Sequence, residues 1–239
     1  PSATNPLLPT PDPRPPVVTI DGPAGAGKST VARALAERLG FVFLDTGAIY
    51  RTVALAARRA SVDWSSAPDV ASVARDIVRR SLLRFERRPD GVQRVWLGHD
   101  DVSEAIRTPE MSTGASTVSA HPEVRSELLN LQRDIARDGG VVVEGRDTGT
   151  VVFPDAEFKF FMTATPEERA RRRCDELAAK GLAVDLQATL AEIIERDRRD
   201  TERAAAPLKR AHDAIDVETT NVPVEQVIER LASRVLRGT

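Results

Sequence analysis

The chain of 239 residues has one cysteine, Cys174, so no intramolecular disulfide can form and a reducing, cytoplasmic setting is expected. Cys174 stands in a charged run with no histidine near it, which argues against a catalytic thiol. The three histidines, His99, His121 and His212, are far apart and match no metal-ligand spacing. Lysine and arginine number 34 against 36 acids, a net charge of −2, so the basic excess of a nucleic-acid polymer binder is missing. No stretch of about 18 apolar residues occurs, which excludes a membrane-spanning helix. There is no internal repeat, long heptad pattern or evident exposed apolar stripe, and a monomer is expected. Residues 1–16 hold seven of the sixteen prolines and no apolar core of a signal peptide, so they read as a disordered or polyproline-like tail. Proline at position 1 predicts that a residue or more has been removed from a precursor.

What is present begins with composition. A chain of this length with 41% hydrophobic residues can bury one sizeable α/β core plus inserted subdomains. Val17, Val18 and Ile20 form a short β-branched run, residues 22–27 turn, and Val31 to Leu39 return to helical spacing. Between them lies Gly22-Pro23-Ala24-Gly25-Ala26-Gly27-Lys28-Ser29-Thr30, a G-x-x-x-x-G-K-[ST] loop in its required strand–loop–helix context. The glycines let backbone N–H groups converge on phosphate oxygens, and the helix adds its positive end. Lys28 is then placed to reach the β and γ phosphates of a bound nucleotide, and the Ser29 hydroxyl to sit on Mg²⁺.

Further along, Phe41 to Leu44 is a second buried strand ending in Asp45-Thr46-Gly47, and a strand's carboxyl end faces the ligand crevice in doubly wound folds. Helical spacing covers 49–59 and 67–80. β-like runs at 82–85 and 92–97 flank Pro89-Asp90-Gly91, a hairpin signal. Helices are expected at 109–118 and 122–136, then apolar strands at 141–143 and 158–162. Thr165-Pro166-Glu167-Glu168 reads as a capping box opening a helix that runs to about Lys180 and stops at Gly181. A second helix from about Asp185 has Leu186, Leu190, Ile193 and Ile194 as its apolar face, and a strand at 214–217 and a helix at 224–235 close the chain. The expected architecture is an α/β, three-layer phosphate-loop fold with a parallel sheet. Its expected division is 1–16 tail, 17–49, 140–164 and 207–239 core, 50–139 insertion, and 165–206 a small helical lid.

A phosphate loop alone states only that a nucleoside triphosphate binds. The acceptor must be read from other charges. Arg51 and Arg146 each follow a strand that ends at the crevice, and guanidinium forks bind phosphate bidentately. Arg196, Asp200 and Arg203 fall at i, i+4 and i+7, one helical stripe that could close over phosphate-bearing ligands. Arg169, Arg171, Arg172 and Arg173 alternate with acids and read as a charged helix surface with one arginine near the triphosphate.

With these residues assembled, the chain resembles the bacterial type of cytidylate kinase from about Val17 to Leu236. The resemblance is carried by DGPAGAGKST, LDTGAIYR from Leu44 to Arg51, VSEAIRTPE from Val102 to Glu110, EGRDTGTVVFPDA from Glu144 to Ala156, and ERDRRD from Glu195 to Asp200. The second and fourth are far narrower signals than the phosphate loop. The long insertion also resembles this type rather than the short-insertion UMP/CMP kinases.

The resemblance implies transfer of the ATP γ-phosphate to CMP or dCMP with Mg²⁺. It implies that Arg51 and Arg146 clamp the acceptor phosphate beside the Thr46 hydroxyl, where the family more often has serine. Ser116, Arg125 and Asp147 are implied to read cytosine with Arg203 in support, Asp200 to contact the ribose, and Arg196 to bridge the two phosphates. Glu144 could organise the metal's water shell or simply hold its loop. Two other readings compete: a phosphate-loop kinase for a different small acceptor, which would leave Arg51 and Arg146 without a shared task, and a nucleotide-sensing module that binds without turnover.

Overall fold

The computed structural model describes residues 14–87, 93–179 and 181–238. In chain order its elements are β1 (Val17–Asp21), α1 (Lys28–Leu39), β2 (Val42–Asp45), α2 (Thr46–Arg59), α3 (Ala67–Arg79), β3 (Leu83–Arg87), β4 (Gln93–Leu97) and β5 (Asp100–Asp101). They continue with α4 (Pro109–Val118), α5 (Pro122–Ile135), β6 (Val141–Gly145), β7 (Phe158–Thr163), α6 (Pro166–Ala178), α7 (Leu186–Glu202), β8 (Ile215–Glu218) and α8 (Val224–Leu236). β1 is buried along its whole length, as expected of a strand covered on both faces.

Five strands form a parallel sheet in the order β2-β6-β1-β7-β8. Side chains alternate across it. Val18, Ile20, Val142, Phe160 and Val217 pack toward α1 and α8, against Val31, Leu35, Leu231 and Val235. Val17, Leu44, Val141 and Val143 pack the other way, against Ile49 and Val53 of α2, Met111 of α4 and Leu128 of α5. Leu35, Leu44, Leu128 and Leu231 are all fully buried, each stabilising by about 1.5–3 kcal/mol. The parallel register brings Asp21 opposite Gly145 and Asp45 opposite Glu144, so four strand-end residues meet at one edge.

α2 starts three residues earlier than its apolar spacing predicts. The Asp45 side chain accepts the Ala48 N–H at 3.0 Å, an N-cap that draws Thr46 and Gly47 into the first turn. β3 and β4 pair antiparallel, and the expected Pro89-Asp90-Gly91 turn lies outside the described residues. β5, two residues long, adds a third strand too short to leave a periodic signal.

Residues 165–206, expected to form a lid, depart from the predicted local structure twice. Thr165 Oγ1 accepts the Glu168 N–H at 3.3 Å, but the reciprocal half of the capping box is missing. Thr165 N–H donates instead to Thr220 Oγ1, and the Glu168 carboxylate takes Arg171 and Arg172, whose charged forks outcompete a neutral amide. On α7, Ile193 is buried, but Leu186 and Ile194 are 48% and 52% exposed. Among the described residues α7 packs chiefly against α6, so its buried stripe is narrower than its apolar spacing. Leu182 and Val184, just before α7, are also exposed.

Arg14 to Pro16 are held against the body, which corrects the expected tail at its last three residues. Arg14 Nη1 donates to Arg137 O at 2.9 Å, and Gly140 N–H lies 3.1 Å from both Pro15 O and Pro16 O. A Cβ on Gly139 would fall 1.9 Å from Pro15 O, so this approach needs glycine. Residues 1–13 lie outside the described residues. Among the described residues, no helix is long and apolar enough to cross a membrane.

Candidate active site

The phosphate loop is shaped by backbone that side chains rarely adopt. Gly22 has φ 148°, and a Cβ there would lie 2.0 Å from Met162 O; Gly27, with φ 86°, caps α1. Ala24, Gly25, Gly27, Lys28, Ser29 and Thr30 line a cleft of about 560 Å³, while Gly22, Pro23 and Ala26 shape the loop from behind. Lys28 is buried and donates from Nζ to Pro23 O at 2.7 Å. Burial, then the nearby Arg146 charge, push Lys28 down to about 7, partly offset by Glu144.

Ser29 Oγ donates to Glu144 Oε1 at 2.7 Å. Burial, then Asp45, push Glu144 up to about 7, and its Oε2 is buried with no protein partner. Thr46 Oγ1 donates to the Glu144 carbonyl at 2.8 Å. The Ser29 hydroxyl and an unpartnered carboxylate oxygen thus sit together at the base of the cleft.

The cleft also gathers the predicted arginines. Arg51 Nη2 donates to Asp45 Oδ2 at 2.6 Å and leaves Nε unpartnered. Burial works against the Asp45 charge, but Arg51 and the cap N–H hold its pKa below the usual carboxylate value. Arg146 Nε donates to Asp200 Oδ2 at 2.9 Å, and Arg196 Nε lies 4.0 Å from the same oxygen. Burial opposes the Asp200 charge, but Arg146 and Arg196 outweigh it and lower its pKa. Arg196 is pushed down to about 10 by burial and by Arg146, and its Nε, although ion-paired with Asp200, is buried without a hydrogen-bond partner.

At the other end, Asp147 stands between two arginines. Arg125 Nη2 donates to Asp147 Oδ2, and Arg203 Nη2 to Oδ1 at 3.2 Å. Arg125 also reaches Ser119 O at 3.3 Å and lies 5.5 Å from the centre of the Tyr50 ring. Arg203 follows the last residue of α7 with ψ 138°, so it leaves the helix yet still lines the cleft. Ser116, from α4, lines the same cleft. All the predicted acceptor residues, Thr46, Arg51, Ser116, Arg125, Arg146, Asp147, Asp200 and Arg203, are therefore in one cleft with Lys28 and Arg196.

Several participants were not assigned from the sequence. Arg169, read there as part of a charged surface, is buried at the base of α6. It donates to Ala164 O and Ala24 O at 3.0 Å and to Asp197 Oδ2 at 2.6 Å, tying the phosphate loop to α7. Nothing in its spacing separates it from exposed Arg171. Asp45 carried a usable signal, an N-cap residue three before Ala48. Cys174 Sγ donates to Thr189 Oγ1 at 3.5 Å between α6 and α7, and His121 Nε2 lies 2.8 Å from Trp64 O, both packing roles.

This geometry can be compared with known proteins. The cytidylate kinase family profile matches residues 18–237. The chain is 51% identical over 223 residues to a cytidylate kinase of Pelotomaculum thermopropionicum, covering 93% of this chain and 97% of that protein. It is 49% identical over 217 residues to one from Geobacter sulfurreducens, covering 91% of each. A solved structure of an uncharacterized protein from Eubacterium ventriosum shares the fold at TM-score 0.53 and 14% identity, over 94% of this chain and 99% of that one. The chain belongs to the cytidylate kinase family.

Proposed function

We propose that the protein transfers the γ-phosphate of ATP to CMP or dCMP, giving ADP and CDP or dCDP in pyrimidine nucleotide metabolism. Family membership supports the reaction. The observation that carries its mechanism is one cleft holding Lys28, Arg51, Arg146 and Arg196 beside Asp147, with Arg125 and Arg203 on that carboxylate. An oxygen of the acceptor phosphate attacks the γ phosphorus, and the bond to the β,γ-bridging oxygen breaks, with ADP leaving with the electron pair. Because the acceptor oxygen is already anionic, positioning and charge neutralisation are the main requirements, and no general base is assigned.

In this reading, Arg51 and Arg146 with the Thr46 hydroxyl hold the acceptor phosphate, and Arg196 spans donor and acceptor. The unpartnered Nε donors of Arg51 and Arg196 suit anionic oxygens. Asp200 takes the ribose. Asp147 accepts from cytosine N4 while Arg125 donates to the ring acceptors, Ser116 and Arg203 assisting. Ser29, with phosphates and water, would hold Mg²⁺, and the unpartnered Glu144 Oε2 fits the oxygen-rich water shell of such an ion. Bound there, Mg²⁺ would supply charge neutralisation for the phosphate being transferred.

We further assign 17–49, 140–164 and 207–239 to the core, 50–139 to acceptor binding and 165–206 to a closing lid, in a cytoplasmic monomer. Chromatography of the nucleotides after incubation with Mg·ATP and CMP tests the reaction. CDP and ADP appearing in equal amounts support it; ADP without CDP contradicts it.

A further inference from the structure

Asp21 is assigned neither a phosphate contact nor a base contact, yet both its carboxylate oxygens accept hydrogen bonds. It ends β1, immediately before Gly22, and is buried. Its Oδ1 accepts Thr148 N–H at 2.9 Å and Thr148 Oγ1 at 2.8 Å, and its Oδ2 accepts Gly149 N–H at 2.7 Å. Thr148 and Gly149 open a turn of π-helix, Thr148–Val152, that follows Asp147 directly. Such a turn is uncommon, and its first N–H groups have no partner inside it. Here the two Asp21 carboxyl oxygens supply that partner.

The segment is also wedged. A Cβ on Gly145 would lie 2.5 Å from Thr148 Cγ2 and 2.7 Å from Thr46 Oγ1, and one on Gly149 would lie 2.9 Å from Thr19 Oγ1. Asp147 therefore rides between a packed strand end and a turn pinned by Asp21.

We propose that Asp21 is a positioning residue for base recognition: through Thr148 and Gly149 it sets the height at which Asp147 meets Arg125, Arg203 and the cytosine edge. The inference rests on the reading of Asp147 as the cytosine contact. An asparagine at position 21 has one acceptor oxygen and would turn its NH₂ toward a backbone N–H, so at least one of the three bonds is lost.

The test is the ratio of kcat/KM for CMP to that for UMP in wild type, Asp147→Asn, Asp21→Asn and Thr148→Val, with KM for CMP and ATP measured separately. A wild-type ratio in Asp147→Asn overturns the base-contact reading and this inference with it. With that ratio reduced, Asp21→Asn is expected to lower it about tenfold and raise KM for CMP, while KM for ATP stays within about twofold, although Asp21 abuts the phosphate loop. Thr148→Val, which deletes one of the three donors at nearly constant shape, is expected to move the ratio the same way by less. An unchanged ratio in Asp21→Asn overturns the inference alone, as does one in Thr148→Val should Asp21→Asn not fold. Equal rises in both KM values, the mark of general loosening, also overturn it.

Discussion

Arg146 donates through Nε to Asp200 across 2.9 Å, joining an arginine just past the end of a central strand to a carboxylate on α7. Both side chains are mostly buried, and Arg196 shares the same carboxylate. Replacing Arg146 with alanine is expected to cost about 2–4 kcal/mol in kcat/KM for CMP, the scale of losing one preorganised charge-stabilising donor. Steady-state kinetics decide it, and wild-type efficiency in Arg146→Ala contradicts the clamp. Asp200→Ala leaves two guanidinium groups without their counter-charge, so denaturant unfolding is expected to show a loss of about 3 kcal/mol.

On the proposed reading of the site, base discrimination follows from Asp147. Cytosine offers an N4 donor beside ring acceptors, and uracil reverses the pattern at N3 and at position 4. A buried polar site left with mismatched partners can discriminate by a factor of order 10⁴, so UMP is expected to be a poor substrate. Comparable kcat/KM for UMP and CMP removes Asp147, Arg125 and Ser116 from that role.

Much of this arrangement was legible before folding because it is local. Val141 to Val143 and Val17 to Ile20 announce buried parallel strands by being apolar on both faces, and the phosphate loop is a short contiguous pattern. What stayed hidden depends on distant partners. The fate of Arg169 is set by Ala24 O and Asp197, 145 and 28 residues away, and periodicity carries no such information. The exposure of Leu186 and Ile194 arises because α7 packs chiefly against one element, α6, a tertiary fact. Thr165 lost half its capping box because Arg171 and Arg172 lie one turn further along the same helix and claim Glu168. Asp45 as a cap was readable and was masked by the strand pattern leading into it.

The two glycines that flank the first helix region make a paired stability test. At Gly22 a methyl group would meet Met162 O at 2.0 Å with φ 148°, whereas at Gly40, φ 70°, nothing lies within 4 Å. Gly40→Ala is expected to cost about 1–2 kcal/mol, the price of a left-handed L-residue. Gly22→Ala should exceed that clearly, because backbone must shift as well. Urea midpoints compare them, and equal losses contradict the close approach.

Lys28 and Glu144 make opposite pH predictions. Lys28 is lowered to about 7, so between about 7 and its ordinary 10.5 the unfolded chain binds a proton that the folded one lacks, and its contribution to stability grows as pH rises. Glu144 is raised to about 7 from 4.5, so over that interval the folded chain holds the extra proton and its contribution falls as pH rises. The stability of wild type relative to Lys28→Met, without nucleotide, should therefore increase from pH 7 to pH 9, by at most about 1.4 kcal/mol per pH unit. A difference independent of pH contradicts the buried, charge-crowded lysine.

The central claim is phosphoryl transfer to a cytidine monophosphate, and a coupled ADP-release assay tests it most directly. The acceptors are CMP, dCMP, UMP, AMP and GMP with Mg·ATP, alongside shikimate, which carries no phosphate, and a sample without acceptor. The account predicts turnover with CMP and dCMP and little ADP from ATP alone, since a closed lid excludes water. Preferred turnover with another acceptor, or ATP binding with no turnover at all, would contradict it.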